Sequence, residues 1–326
     1  MRTLKNLRRR AVRNEFVRFL KNKIDEGRAD NIAVITGDLG YSVLEPLVAA
    51  LGPRFINAGV AEASMTSIAA ALAADGMKVF TYSITPFATF RCLEQIRNDV
   101  CYHNLDVTVV GVGAGFAYGT LGPTHHATED LAALWALPNL RVYCPGDLAE
   151  AKICFEQGFR RKQPQYWRLG KGGEGSVTPI ARVNLSNESS VQEYVRGTDL
   201  TVICTGTVLG DVYPAVMRAM PGARIQLLTC PLLKPFPESE LLARITSGKV
   251  LIVEELNPYG GFSSLVSRSL LTLAPRRWES VRVMSALDRF APEVGGAAFQ
   301  RHGVGLDQNA VFAQITAMTV APNPAA

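Results

Sequence analysis

The chain predicts an α/β protein of two doubly wound domains, and three observations carry that reading. Strand-like apolar runs alternate with helical patterns across residues 32–169, and the alternation resumes after residue 200. The stretch between them turns Gly-, Ser- and Asn-rich with little periodicity, which reads as a linker. With 326 residues, 48% of them hydrophobic, the chain is long enough to bury two cores. The expected division is a first domain over 1–175, a linker over 176–198 and a second domain over 199–326.

The elements follow in order. Residues 1–28 hold ten Lys/Arg against three Asp/Glu, a local +7 within a total of +5, so the rest of the chain stands near −2. Leu4, Leu7, Phe16, Leu20 and Ile24 give this opening helix an apolar stripe, with Arg8, Arg9 and Arg10 on its solvent side. A solvated helix, or one docking on an acidic partner, accounts for it better than nucleic-acid binding or a transit peptide. Strands are expected at Ile32 to Thr36, Lys78 to Tyr82, Val107 to Gly111, Leu140 to Tyr143 and Gln165 to Leu169. The helices between them fall at Ala61 to Ala74, Thr89 to Tyr102, Thr128 to Ala136 and Leu148 to Phe159. Such alternation calls for a parallel sheet with helices on both faces. In the second domain the strands are Leu200 to Cys204, Arg224 to Leu228, Val250 to Glu254 and Val281 to Met284. Its helices lie near Gly210 to Met220, Glu238 to Thr246 and Phe262 to Leu271, with an irregular connection at Pro231 to Pro237.

Several classes are excluded. No apolar run approaches the roughly 18 to 20 residues of a membrane span, and the N-terminus lacks the apolar core of a signal peptide, so the cytoplasm is the default. The six cysteines form no Cys-x-x-Cys pair and signal neither a disulfide framework nor a metal site. In Val107 to Gly115 the third glycine of a dinucleotide fingerprint would fall on Phe116, which argues against a nicotinamide site.

The most informative segment is Gly59-Val60-Ala61-Glu62-Ala63-Ser64-Met65. After the short strand and turn of Arg54 to Gly59, it places a carboxylate in the first turn of a helix otherwise uncharged up to Asp75. An acid there can simply complement the helix dipole. Downstream, however, come the aromatic stretch from Phe80 to Arg91, then Glu94 to Asp99, then Gly119-Thr120-Leu121-Gly122-Pro123-Thr124-His125-His126. Glutamate, aromatic cluster and Gly-Pro-Thr-His, in that order and spacing, resemble the pyrimidine-binding half of transketolase. The resemblance runs over nearly the whole chain, from the opening helix and Thr36-Gly37-Asp38-Leu39-Gly40 to Glu254-Glu255-Leu256-Asn257-Pro258-Tyr259-Gly260-Gly261. Full-length transketolases also carry a diphosphate-binding domain with Gly-Asp-Gly and a later Asn. Here Leu39 breaks that pattern and Asn57 stands too close. The resemblance therefore implies the C-terminal subunit of a split transketolase. It would self-associate within an α2β2 assembly with an N-terminal subunit that holds Mg2+ and the diphosphate of thiamine diphosphate. It implies sugar substrates and neither a nucleic-acid nor a membrane partner, and it gives this chain no metal ligands.

By the same resemblance Glu62 is the acid that polarises the pyrimidine N1′, a task suited to an apolar pocket because burial favours a protonated carboxyl. Phe87 is the first choice for the aromatic platform, with Phe90 and Tyr82 as alternatives across a one-residue alignment ambiguity, and Arg91 lies in the same cofactor-binding stretch. His125 matches the active-site histidine that moves protons at a sugar hydroxyl, with His126 beside it. Arg168 matches the sugar-phosphate arginine, with Lys171 close by. Two positions depart from the family: Leu121 replaces an acid, and Gly113 replaces a histidine twelve residues before His125. Both remove polar contacts from the sugar channel, which points to a modified, deoxy or nucleotide-linked sugar. The rival readings are a deoxyxylulose phosphate synthase-like enzyme, the β subunit of a 2-oxo acid dehydrogenase and, in another class, a non-catalytic regulatory subunit.

Overall fold

The computed structural model describes residues 12–28, 30–172, 177 and 189–319; Leu4, Leu7, Arg8, Arg9 and Arg10 of the basic segment lie outside them. The apolar runs of the first half form β1 (Ile32–Thr36), β2 (Phe55–Asn57), β3 (Lys78–Ile84), β4 (Val107–Val112), β5 (Arg141–Tyr143) and β6 (Gln165–Leu169). The second half supplies β7 (Gln192–Val195), β8 (Leu200–Cys204), β9 (Ile225–Thr229), β10 (Leu232–Lys234), β11 (Lys249–Val253) and β12 (Ser280–Met284). They make a seven-stranded sheet in the order β10-β5-β6-β4-β3-β1-β2 and a five-stranded sheet in the order β12-β11-β8-β9-β7. All pairings are parallel except β10 with β5 and β7 with β9. β1, β4 and β6 are buried at every residue, as strands covered on both faces must be.

Helices α1 (Val12–Asp25), α2 (Glu45–Leu51), α3 (Glu62–Ala74), α4 (Thr85–Thr89), α5 (Asp130–Leu134) and α6 (Leu148–Phe159) cover the first sheet. The second carries α7 (Leu209–Ala219), α8 (Glu238–Arg244), α9 (Phe262–Leu273), α10 (Ala297–Gly303) and α11 (Gln308–Thr319). The apolar stripe of α1 buries Phe16 and Leu20 completely. Phe16 packs among Phe80, Tyr82, Phe155 and Trp167, each within about 6 Å of it, and burying one such side chain is worth about 1.5–3 kcal/mol. Asp147 caps α6 by accepting from the Ala149 and Glu150 amides.

Three sequence expectations change. The helix expected over Thr89 to Tyr102 is broken: Pro86 starts α4 earlier, a tight turn follows at Phe90–Cys92, and Ile96–Tyr102 closes as a π-helix. The stretch expected to be linker contains β7, which pairs antiparallel with β9 at the edge of the second sheet. The Pro231 to Pro237 connection contains β10, which crosses back to the edge of the first sheet and ties the two halves together. No helix among the described residues is long and apolar enough to cross a membrane. All six cysteines are buried free thiols.

Candidate active site

The carboxyl ends of β1, β3, β4 and β6 converge, and the loops that leave them carry the candidate groups, as open parallel sheets commonly arrange their ligand sites. Beyond β1, Gly37 lies against Glu62; a Cβ there would come within 3.4 Å of Glu62 Cγ. Glu62 opens α3 and is only 4% exposed. Its two oxygens accept from Arg91 Nη1 at 3.3 and 3.2 Å, so a half-exposed guanidinium compensates the buried carboxylate. That same guanidinium lies over the Phe87 ring, 4.0 Å from its centroid. His125 meets Phe87 edge-on at 5.1 Å. Glu62, Arg91, Phe87 and His125 thus form one continuous cluster drawn from three separate segments of the chain.

His125 stands on a glycine-rich loop after β4. Partial burial, and then the charge of Arg91, hold its imidazole below the ordinary histidine range, which leaves it neutral near pH 7. The Thr124 hydroxyl bonds Nδ1 at 3.0 Å and leaves Nε2 as the nitrogen free for proton movement. The second half of the chain braces this loop. Glu255 accepts from the Phe116 amide at 3.2 Å and is gripped by Arg301 through Nε and Nη2, each at 2.9 Å. Gly115, at φ +59°, must be glycine there: a Cβ would stand 2.2 Å from Glu255 Oε2.

Other expected site residues fall elsewhere. Tyr82 is 2% exposed and stacks on Phe16 inside the core, so it is no cofactor platform. Phe90 is exposed at the surface and does not join the cluster. His126 is buried edge-on to Phe116, with its pKa lowered by that burial, and packs within the loop. Arg168 is 2% exposed, with its guanidinium consumed: Nε bonds Asp130 at 2.9 Å and Nη2 bonds the Ala127 carbonyl at 2.5 Å. The Tyr166 hydroxyl donates to the same Asp130 oxygen at 2.6 Å. This network leaves Arg168 no open face for a sugar phosphate. Lys171, two residues past β6, is partly exposed and reaches the loop, 4.4 Å above the Tyr118 ring. Leu121 sits exposed on its rim. Sequence reasoning missed Asp130, Glu255, Arg301 and Tyr118. The Glu254-Glu255 pair signalled interest, but nothing local marked the other three.

The residues fit an aminopyrimidine. A buried carboxylate and an aromatic face are bridged by a single planar N–H donor group, and that guanidinium marks a slot suited to a flat, hydrogen-bonding ring. Fold and site together define an α/β protein whose acid, aromatic face and histidine gather where parallel strands end. Residues 25–173 match the family described as the transketolase pyrimidine binding domain. The chain is 30% identical over 246 residues to one subunit of the apulose-4-phosphate transketolase of Phocaeicola vulgatus, covering 74% of this chain and 78% of that protein. It is also 30% identical over 248 residues to a 6-deoxy-6-sulfo-D-fructose transketolase subunit of a Clostridium species, covering 74% and 75%. A split gene transketolase solved as an inactive beta4 tetramer superposes with a TM-score of 0.79 at 27% identity, over 95% of this chain and 98% of that one. The chain belongs to the transketolase family.

Proposed function

We propose that this chain is the C-terminal subunit of a two-component transketolase, moving a two-carbon ketol unit from a ketose to an aldose in the cytoplasm. The observation that carries the reading is the contiguous cluster of Glu62, Arg91, Phe87 and His125 at the sheet's carboxyl edge. Thiamine diphosphate, when bound, supplies the nucleophilic carbon that cleaves and re-forms the bond beside a ketose carbonyl. Glu62 would hold a proton at the pyrimidine N1′, in a setting where little water competes for it. Phe87 would offer the ring its face once Arg91 swings aside, a movement its half-exposed side chain permits. His125 would move a proton at a substrate hydroxyl through Nε2, and Lys171 would meet the anionic end of the sugar.

The broken Gly37-Asp38-Leu39-Gly40 motif supports assigning Mg2+ and the cofactor diphosphate to an N-terminal partner subunit. Self-association within an α2β2 assembly accords with the relative that forms a tetramer of its own kind. The test is reconstitution with the partner carrying Gly-Asp-Gly, with thiamine diphosphate, Mg2+, a ketose donor and an aldose acceptor. The pair should transfer the ketol unit while neither chain does alone. Glu62→Gln should cut kcat by roughly 10² to 10⁴-fold with the pair still assembled. Transfer by this chain alone, or a Glu62→Gln pair retaining more than about half the wild-type rate, would refute the reading.

A further inference from the structure

Position 113, glycine here, is not left as a gap. A Cβ on Gly113 would stand 2.1 Å from Tyr118 Cδ2 and 2.3 Å from Cε2, so the Tyr118 ring occupies the space a side chain at 113 would enter. The φ of +95° at Gly113 fits the same exchange, since it suits glycine and disfavours any larger residue. The ring lies 6.4 Å from the His125 imidazole. Lys171 Nζ stands over its face at 4.4 Å, and the charge of Arg13, near the start of α1, acts on its phenol. Burial raises the phenol pKa above its usual value, so the hydroxyl keeps its proton and remains a donor. Among the described residues neither Lys171 nor Arg13 has a carboxylate partner, and the buried Nε of Arg13 has no hydrogen-bond partner. Two cations with no carboxylate partner among the described residues therefore flank one phenol beside His125. This gives the basic first helix a place in the site that its sequence did not suggest.

We propose that Tyr118 is the specificity-determining residue of the sugar channel, its hydroxyl binding the terminal oxyanion of the substrate between Lys171 and Arg13. The inference rests on the ketol-transfer reading and deepens it. A neutral donor between two cations selects sugars ending in a tetrahedral oxyanion, a phosphate or sulfonate, over sugars ending in a hydroxyl. It also corrects the sequence expectation that glycine at 113 strips the channel of polar contacts, because the phenol restores one.

The experiment measures equilibrium binding of ribose 5-phosphate and of ribose to the reconstituted pair by calorimetry, without donor, and then kcat and KM for ribose 5-phosphate. Tyr118→Phe keeps the ring that fills the space at 113 and removes only the hydroxyl; Arg13→Gln removes the flanking charge while keeping a polar side chain. Tyr118→Phe should weaken ribose 5-phosphate about tenfold while ribose changes less than about twofold, with the loss in KM exceeding that in kcat. Arg13→Gln should weaken the phosphorylated sugar about three- to tenfold. An unchanged ratio between the two sugars in both variants overturns the proposal. Equal weakening of both sugars overturns it as well, since that marks a packing role, and so does a wild-type pair that binds neither. Selective binding by a pair that transfers no ketol unit would sink the proposed function and leave the assignment of Tyr118 standing.

Discussion

Replacing Arg168 and Lys171 in turn by Met separates a structural cation from a functional one. Arg168 and Asp130 are 2% and 0% exposed and meet at 2.9 Å. Removing Arg168 leaves a buried carboxylate held, among the described residues, only by the Tyr166 hydroxyl, and takes from the Ala127 carbonyl one of its two donors, the Gly115 amide remaining. Breaking a buried pair from one side costs about 3–5 kcal/mol. At about 2–4 °C per kcal/mol for domains of this size, the melting temperature should fall by roughly 6–20 °C. Lys171 is partly exposed with no ion pair among the described residues, so Lys171→Met should stay within about 0.5 kcal/mol of wild type while raising KM for a phosphorylated aldose. The assays are thermal unfolding of the chain and steady-state kinetics of the reconstituted pair. The double replacement Arg168→Met with Asp130→Asn should regain part of the lost stability, because the stranded charge goes with its partner. If Arg168→Met melts within about 2 °C of wild type and selectively raises KM, the buried-pair argument fails and Arg168 is the anion ligand after all.

Two further outcomes follow from the joint between the halves. Gly115→Ala would drive a Cβ into Glu255 at φ +59°, and it should cost on the order of 2 kcal/mol in urea unfolding and lower kcat by displacing the His125 loop; a variant indistinguishable from wild type in both would refute that bracing role. Burial raises the Glu254 carboxyl from 4.5 to about 7, so the folded chain holds that proton more tightly than the unfolded one and stability declines as pH climbs through this window. Glu254→Gln removes the titration and should gain up to about 3 kcal/mol over wild type between about pH 5 and pH 8; a difference that does not vary with pH would count against it.

The strands were the legible part of the fold. Ile32–Thr36, Gln165–Leu169 and Leu200–Cys204 are continuous β-prone runs bounded by polar or turn residues, and burial on both faces makes such runs readable without alternation. Long-range pairings were not legible. β7 lies in a stretch whose Ser and Asn content reads as linker, and β10 is three residues between prolines whose partner stands about 90 positions earlier. The break in the Thr89 to Tyr102 helix was not legible either, since the π-helix over Ile96–Tyr102 contains no proline or glycine to mark it.

Within the candidate site, Glu62 was legible because an acid in an uncharged helix needs a reason, whereas Phe87 rested on the family resemblance, with Phe90 and Tyr82 as alternatives. The choice between Arg168 and Lys171 was not legible. Both are cations near the end of β6, and in a sheet buried on both faces sequence alternation cannot tell an inward cation from a free one. What decides it is Asp130, 38 residues away in the chain. The same holds for Glu254 and Glu255, adjacent in sequence beyond β11 and given opposite surroundings. Glu255 receives Arg301, the Thr207 hydroxyl and the Phe116 amide, and so anchors the loop that carries His125. Glu254 receives the Ser263 hydroxyl at one oxygen and, among the described residues, has no partner at the other. One carboxylate is held as half of an ion pair and the other retains its proton toward neutral pH, a division of roles set by partners that the motif itself does not contain.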